Sequence, residues 1–145
     1  MNHHLVLRVV AKFLLPFILV FALYVQWHGD YGPGGGFQAG VIFAVGFILY
    51  ALVYGAEAIK KLIPVRATII LMSAGVLIYA GTGIASLILG NDFLDYSGFG
   101  SDPVHGQEWG ILIVELGVGV AVAGAMIAIF TAFASRAPEI EDKDW

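Results

Sequence analysis

Two stretches of this 145-residue chain, residues 31–56 and residues 67–90, contain no charged side chain. Two further apolar runs lie on either side of them, at residues 5–27 and 110–134. A helix that crosses the hydrocarbon core of a bilayer needs about 20 predominantly apolar residues, and each run is long enough. We therefore predict an all-α, polytopic membrane protein with four transmembrane helices, over about residues 5–27, 36–58, 66–90 and 110–134.

The composition agrees with a membrane location and excludes several other classes of protein. Charged residues make up 12% of the chain, against roughly 25% in a soluble domain, and the mean hydropathy is +0.88. The net charge of −4 leaves no basic surface for a phosphate backbone, so we expect no nucleic-acid partner. We expect a single membrane domain over residues 1–145, with a short, acidic, solvated tail at residues 138–145.

The basic residues predict the orientation of the chain, because all of them fall on one side of the predicted bilayer. They are Arg8, Lys12, Lys60, Lys61, Arg66, Arg136 and Lys143. The positive-inside rule then places both termini in the cytoplasm, as for a multi-pass protein of the bacterial cytoplasmic (inner) membrane. The first run is interpreted as a retained span rather than a cleaved signal peptide, because no small-x-small cleavage site follows it before Gln26.

Glu115 is the one carboxylate placed well inside a predicted span. Helix rise puts it roughly 10 Å from the middle of that span. Desolvation disfavours a bare anion at such a depth, so a group that exchanges a proton or holds a cation there is a candidate for the ion or proton path. The alternative is that Glu115 bonds a hydroxyl or loop group near the interface and only fixes the rotation of its helix.

The second candidate is the glycine-rich segment 29–38, which joins the first two runs. Its Pro33 disfavours a helix just before it, while the glycines that follow permit positive φ and leave backbone groups open to a ligand. Gly40 lies one helical turn after Gly36, and such a small-xxx-small pair suits a close helix crossing. We predict a tight turn and close packing at Pro33, Gly34, Gly35, Gly36, Phe37 and Gly40, with direct ion contact as the alternative.

The remaining acidic residues have simpler interpretations. Glu57 is followed four residues later by Lys61, so we predict an ion pair at the end of the second span. The third loop carries Asp92, Asp95 and Asp102, but the spacing does not fit a calcium loop, so we predict a solvated acidic loop. We expect no catalytic residue, no metal site and no cofactor.

Several of these features together resemble the MnhB family, which supplies a small membrane component of the Mrp-type (Mnh/Mrp) multisubunit Na⁺/H⁺ antiporters. The resemblance rests on three segments of the sequence. They are the basic first part of the first apolar run with Leu5, Arg8 and Pro16, Gly-Pro-Gly-Gly-Gly-Phe at residues 32–37, and Tyr-Ala-Leu-Val-Tyr-Gly at residues 50–55. It covers about residues 6–133, and Pro33-Gly-Gly-Gly-Phe37 is its most specific element.

This resemblance implies a small membrane subunit that works only inside a hetero-oligomer, with other subunits, including large subunits related to respiratory complex I, as partners. Such a chain takes part in monovalent cation (Na⁺)/proton exchange, is a transporter component rather than an enzyme, and is needed for assembly. Two alternatives stay open: an MnhB-like membrane subunit of a membrane-bound hydrogenase or related respiratory complex, and a purely structural assembly subunit. A self-sufficient exporter of the small multidrug type is disfavoured, because the first span carries Arg8 and Lys12 where that class carries a carboxylate.

Overall fold

The fold is taken from a computed structural model, which describes residues 5–29, 32 and 34–136. In order, its helices are α1 (Leu5–Trp27), α2 (Gly36–Tyr54), α3 (Ala56–Leu62), α4 (Val65–Ile88) and α5 (Pro103–Ala134), with a 3₁₀ turn at Ser97–Phe99. All but α3 are long and apolar enough to cross a membrane. The all-α fold with four candidate transmembrane helices is thus confirmed, while Pro33 and the acidic tail at residues 138–145 lie outside the described residues.

The helices differ from the predicted spans by more than two residues at two ends, and local chemistry explains both. The second predicted span ends early because Gly55 adopts a φ of 96°, and its N–H donates to Ala51 O at 2.8 Å. This conformation favours glycine and separates α2 from α3. The last long helix begins seven residues earlier than predicted, at Pro103 in its first turn, where the Asp102 carboxylate accepts from the His105 N–H at 2.8 Å.

The long helices pack in the order α1, α2, α5, α4 rather than in the order of the chain. α2 lies between α1 and α5, and α5 lies between α2 and α4. Among the described residues, α1 and α4 make no substantial contact with each other. The four helices therefore form a row with two free ends instead of a closed bundle, and α5 contacts both the third loop and the loop between α1 and α2.

Small residues allow the two helix crossings of α5. A methyl group at Gly40 of α2 would lie 2.6 Å from Gly119 O, and one at Gly75 of α4 would overlap the main chain of Gly117. Such close approach of backbones is the usual role of small residues in membrane helix interfaces. The buried cluster beside these crossings contains Ala44 and Ile127 among other side chains, and it lies between α2, α3 and α5.

A polar contact joins α1 to α2 at the end of the molecule opposite the glycine-rich segment. Tyr54 Oη donates to Arg8 O at 2.9 Å, and the Arg8 guanidinium carbon lies 5.7 Å from the centre of the Tyr54 ring. Close by along the chain, Glu57 pairs with Lys60 at 2.6 Å, so the prediction of Lys61 as its partner was wrong. The hydrogen bond from Lys60 lowers the pKa of Glu57.

Candidate functional site

Glu115 lies in α5, half-buried, three turns after the helix begins, and its carboxylate reaches the loop between α1 and α2. A methyl group at Gly29 would lie 2.7 Å from Glu115 Oε2, and one at Gly35 would lie 2.8 Å from Oε1. Because real side-chain carbons do not approach so closely, a side chain at Gly29 or Gly35 would have to displace the carboxylate. The two features that the sequence singled out separately therefore form one site.

The main chain of Glu115 takes part in the same contact. A methyl group at Gly36 would overlap Glu115 O, so α2 and α5 touch backbone to backbone at this level. Gly40, one turn further along α2, makes the corresponding contact with Gly119. The small-xxx-small pair Gly36 and Gly40 thus lies at the crossing of α2 with α5, and it holds the Glu115 side chain above the start of α2.

The start of α2 gives this site a positive potential. Gly35 precedes the first turn and provides no side chain to cap it. The first N–H groups of a helix have no partner within the helix and carry about half a positive charge between them. The carboxylate of Glu115 is placed beside Gly35, so the α2 dipole favours a negative charge, or an ion bound through the carboxylate, at this depth.

The other residues of the glycine-rich segment are placed less centrally. Gly34 lies against the end of α1, where a methyl group would come 2.9 Å from Val25 O. Phe37 is exposed on the outside of α2, away from the carboxylate. Pro33 lies outside the described residues. Of the predicted set, the structure thus brings Gly35 and Gly36 to Glu115, with Gly40 one turn below.

Sequence reasoning missed Gln26, which lies beside this site near the end of α1. Its side chain is 9% exposed, and Oε1 lies 2.6 Å from the position of a methyl group at Gly119. The one available signal was an amide at the end of an apolar run, where a polar side chain normally reaches the headgroups. Here it turns inward instead, towards α5.

The third loop is more tightly organised than the prediction of a solvated acidic loop implies. Asp92 and Asp102 are exposed, as predicted. Asp95 Oδ1, in contrast, accepts hydrogen bonds from Ser97 N at 3.1 Å, Ser97 Oγ at 2.5 Å and Gln107 Nε2 at 2.9 Å. These bonds, led by the one from Ser97 Oγ, lower the pKa of Asp95.

An aromatic contact also holds this loop. Tyr96 is buried against Gly110 of α5, and burial raises the pKa of its phenol. Together with the bond from Gln107 to Asp95, this contact fixes the loop to the outer turns of α5.

No three His, Asp or Glu side chains lie close enough to share a metal ion within residues 5–29, 32 and 34–136. Among the residues that the structure describes, the site consists of one carboxylate, a glycine-lined loop and a helix start. Chemically, such a site can hold a proton on the carboxylate or a cation beside it.

Comparison with known proteins gives a consistent result. Residues 6–128 match the family model described as "Domain related to MnhB subunit of Na+/H+ antiporter". The chain is 34% identical over 131 residues to proteins named "Putative antiporter subunit mnhB2" in Staphylococcus aureus strains Newman, JH1 and Mu3. Each alignment covers 88% of this chain and 92% of the relative.

Proposed function

The chain belongs to the family of proteins related to the MnhB subunit of Na⁺/H⁺ antiporters, and from this we propose that it is a small membrane subunit of a multisubunit monovalent cation (Na⁺)/proton antiporter. In this role it is a component of a secondary active transporter rather than an enzyme. Its partners are the other subunits of that complex, including the large subunits related to respiratory complex I.

The observation that carries the proposal is the position of the Glu115 carboxylate against Gly29 and Gly35. Glu115 belongs to a membrane-spanning helix, and its carboxylate lies level with the end of α1 and the start of α2, at the loop end of the spans. An ionisable group in a membrane helix is a candidate for an ion or proton path, here for the end of that path at the membrane boundary. The start of α2 supplies a field that stabilises charge, and the missing side chains at Gly29 and Gly35 let the carboxylate approach the loop closely. We propose that Glu115 takes up and releases a proton, or helps to hold a desolvated cation, on part of the ion path.

Assembly with other subunits is supported by the open row of helices. Only 11% of the most apolar window of α1 is buried within this chain, against 33% for α2. Exposed aromatic side chains, Phe13, Phe17 and Phe21 among them, follow the length of α1. Lipid can cover such a surface, but the free end of the row at α1 also offers a complete helix face to a neighbouring subunit.

A purely structural assembly subunit is the second candidate, and the backbone contact of Gly36 with Glu115 O favours it. In that case the glycines serve the helix crossing, and the carboxylate only fixes how α1, α2 and α5 meet. The two candidates agree on membership in the complex and differ on whether Glu115 titrates during transport.

The proposal is tested by reconstituting the complete complex into vesicles with and without this chain and following a Na⁺ gradient-driven change in internal pH. We expect exchange from the complete complex and none from vesicles that hold this chain alone, because Glu115 lies at the loop end of its span and no described span contains a carboxylate further inside. Robust exchange by the chain alone, or full exchange by a complex lacking it, would refute the proposed role.

A further inference from the structure

The most distinctive feature outside the Glu115 site is an apolar cavity of about 390 Å³. It lies where α1 and α5 both pack on α2 and make little contact with each other. Small residues, Ala22, Ala39, Gly40, Gly119 and Ala123 among them, open the space at one end. Larger side chains, including Phe47 and Ile127, line the other end.

Gln26 is the one polar side chain in the lining, and only 9% of it is exposed. Within residues 5–29, 32 and 34–136 its amide makes no hydrogen bond, and its polar atoms stay accessible at the cavity. One neutral hydrogen bond to a group in the cavity would contribute about 0.5–1.5 kcal/mol. Native proteins rarely leave such a group unsatisfied without a water or a ligand. An unsatisfied amide at the mouth of an apolar cavity therefore points to a ligand with an apolar body and one polar atom placed at this level.

We propose that this cavity binds one acyl chain of an ester-linked lipid, with the ester carbonyl accepting a hydrogen bond from Gln26 Nε2. Gln26 is the penultimate residue of α1, and the exposed Trp27 beside it is a residue type that favours the membrane interface. Lipid ester groups lie at this level, between the headgroups and the hydrocarbon core. The acyl chain would then run along α2 from Ala39 towards Phe47, a distance of roughly 12 Å by helix rise.

The size of the cavity favours a single acyl chain over a helix from another subunit. A helix with its side chains is about 10–12 Å across, so a segment of this length would occupy roughly 1,000 Å³. The cavity offers about 390 Å³. The remaining alternative is a side chain inserted by a partner subunit, which cross-linking from the cavity lining distinguishes from a lipid.

The first test compares two lipids on the unsubstituted protein. The purified full chain, delipidated in detergent, is titrated with dioleoyl phosphatidylglycerol and with its diether analogue, and bound lipid is counted by native mass spectrometry. We expect one retained lipid and a preference of about three- to tenfold for the diester, the effect of one neutral hydrogen bond. In Gln26→Leu the two lipids should bind equally well. Equal binding of both lipids to the unsubstituted chain would overturn the proposal.

The second test fills the cavity from α5. Ala123→Leu adds its side chain to the lining, and we expect lipid retention to fall about tenfold because the new carbons occupy the volume of the acyl chain. Ala132→Leu places the same substitution on the exposed part of the same helix and serves as the matched control. Equal retention by the two variants would contradict the proposed position of the lipid.

The third test asks whether a partner side chain fills the space instead. The chain contains no cysteine, so Phe43→Cys, in the cavity lining, introduces a unique thiol for cross-linking in the assembled complex. No cross-link to another subunit is expected if lipid occupies the cavity, whereas an efficient cross-link would overturn the proposal.

The proposed lipid site requires only that the chain is inserted in a membrane, and it does not depend on antiport activity. Loss of exchange with lipid bound would therefore count only against the proposed function.

Discussion

The carboxylate of Glu115 in α5 lies directly against Gly35, the residue that precedes α2, so that a methyl group at Gly35 would come within 2.8 Å of Glu115 Oε1. Gly35 also has a φ of 131° and a ψ of 178°, a conformation that is almost restricted to glycine. Gly35 is therefore required for two separate reasons. Its backbone conformation disfavours other residues, and a side chain there would collide with the Glu115 carboxylate. Both serve to keep the Glu115 side chain at the start of α2.

Gly35→Ala should destabilise the protein and weaken assembly of the complex. The strained backbone alone costs about 1–3 kcal/mol, and the added methyl group must also displace the Glu115 carboxylate. We expect a lower Tm of the purified chain in detergent and less complex recovered on affinity purification. The matched control is Gly81→Ala in α4, where a methyl group would meet nothing within 4 Å. A Gly35→Ala chain as stable as Gly81→Ala would show that the contact with Glu115 is unimportant.

Glu115→Gln should leave the complex assembled while lowering exchange or shifting its pH dependence. Glutamine keeps the shape and hydrogen bonding of a protonated glutamate but cannot titrate. The measurement is sodium-driven proton flux in vesicles over a range of pH, with the amount of complex checked in parallel. Glu108→Gln, on the exposed outer part of the same helix, is the control and should behave like the unsubstituted chain. Normal exchange by Glu115→Gln across the whole range would reduce Glu115 to a structural role.

Asp95→Asn should destabilise the third loop at neutral pH. Its carboxylate accepts three hydrogen bonds, and bonds to a charged acceptor are roughly twice as strong as those to a neutral one. The pKa of Asp95 is lowered from its ordinary value of 3.8, so the folded state gains stability above that pH and loses it as the pH falls through the lowered pKa.

The loss in Asp95→Asn should therefore be present at pH 7 and disappear in strong acid. Tm values of the purified chain at both pH values, or proteolysis of the third loop, provide the measurement. Asp92→Asn, at an exposed position two residues past Gly90, is the matched control. If the two variants have the same Tm at pH 7, the hydrogen bonds of Asp95 do not stabilise the loop.

The membrane helices could be predicted from the sequence because length and absence of charge determine them almost alone. The contact of Glu115 with Gly29 and Gly35 could not, since it depends on which helix packs beside α2, and no local pattern encodes the order α1, α2, α5, α4. One feature of the sequence weakly indicated the hydrogen bonding within the third loop. Ser97 follows Asp95 by two residues, the spacing at which an aspartate side chain accepts from the backbone ahead of it.

Gln26 shows a different limit of sequence reasoning. An amide at the end of an apolar run fits the interface equally well whether it faces water or the protein. Its burial follows from the missing side chain of Gly119 on α5, where the Gln26 oxygen occupies the space a larger residue would fill. Only the packing of α5 against α1 and α2 reveals that this amide borders a cavity rather than solvent.

The last prediction concerns orientation: both termini should be cytoplasmic, because the basic residues at the start of α1 and in and after α3 all lie on the same side of the four helices. The natural absence of cysteine allows a direct test with single thiols. Ser101→Cys, exposed in the third loop, should react with a membrane-impermeant maleimide in intact cells, whereas Lys61→Cys should react only after the cells are permeabilised. This outcome would place Glu115 on the outer half of the membrane and Lys61 at the cytoplasmic surface. Labelling of both positions in intact cells would contradict the four-span topology, and the reverse pattern would invert it and move Glu115 to the cytoplasmic half.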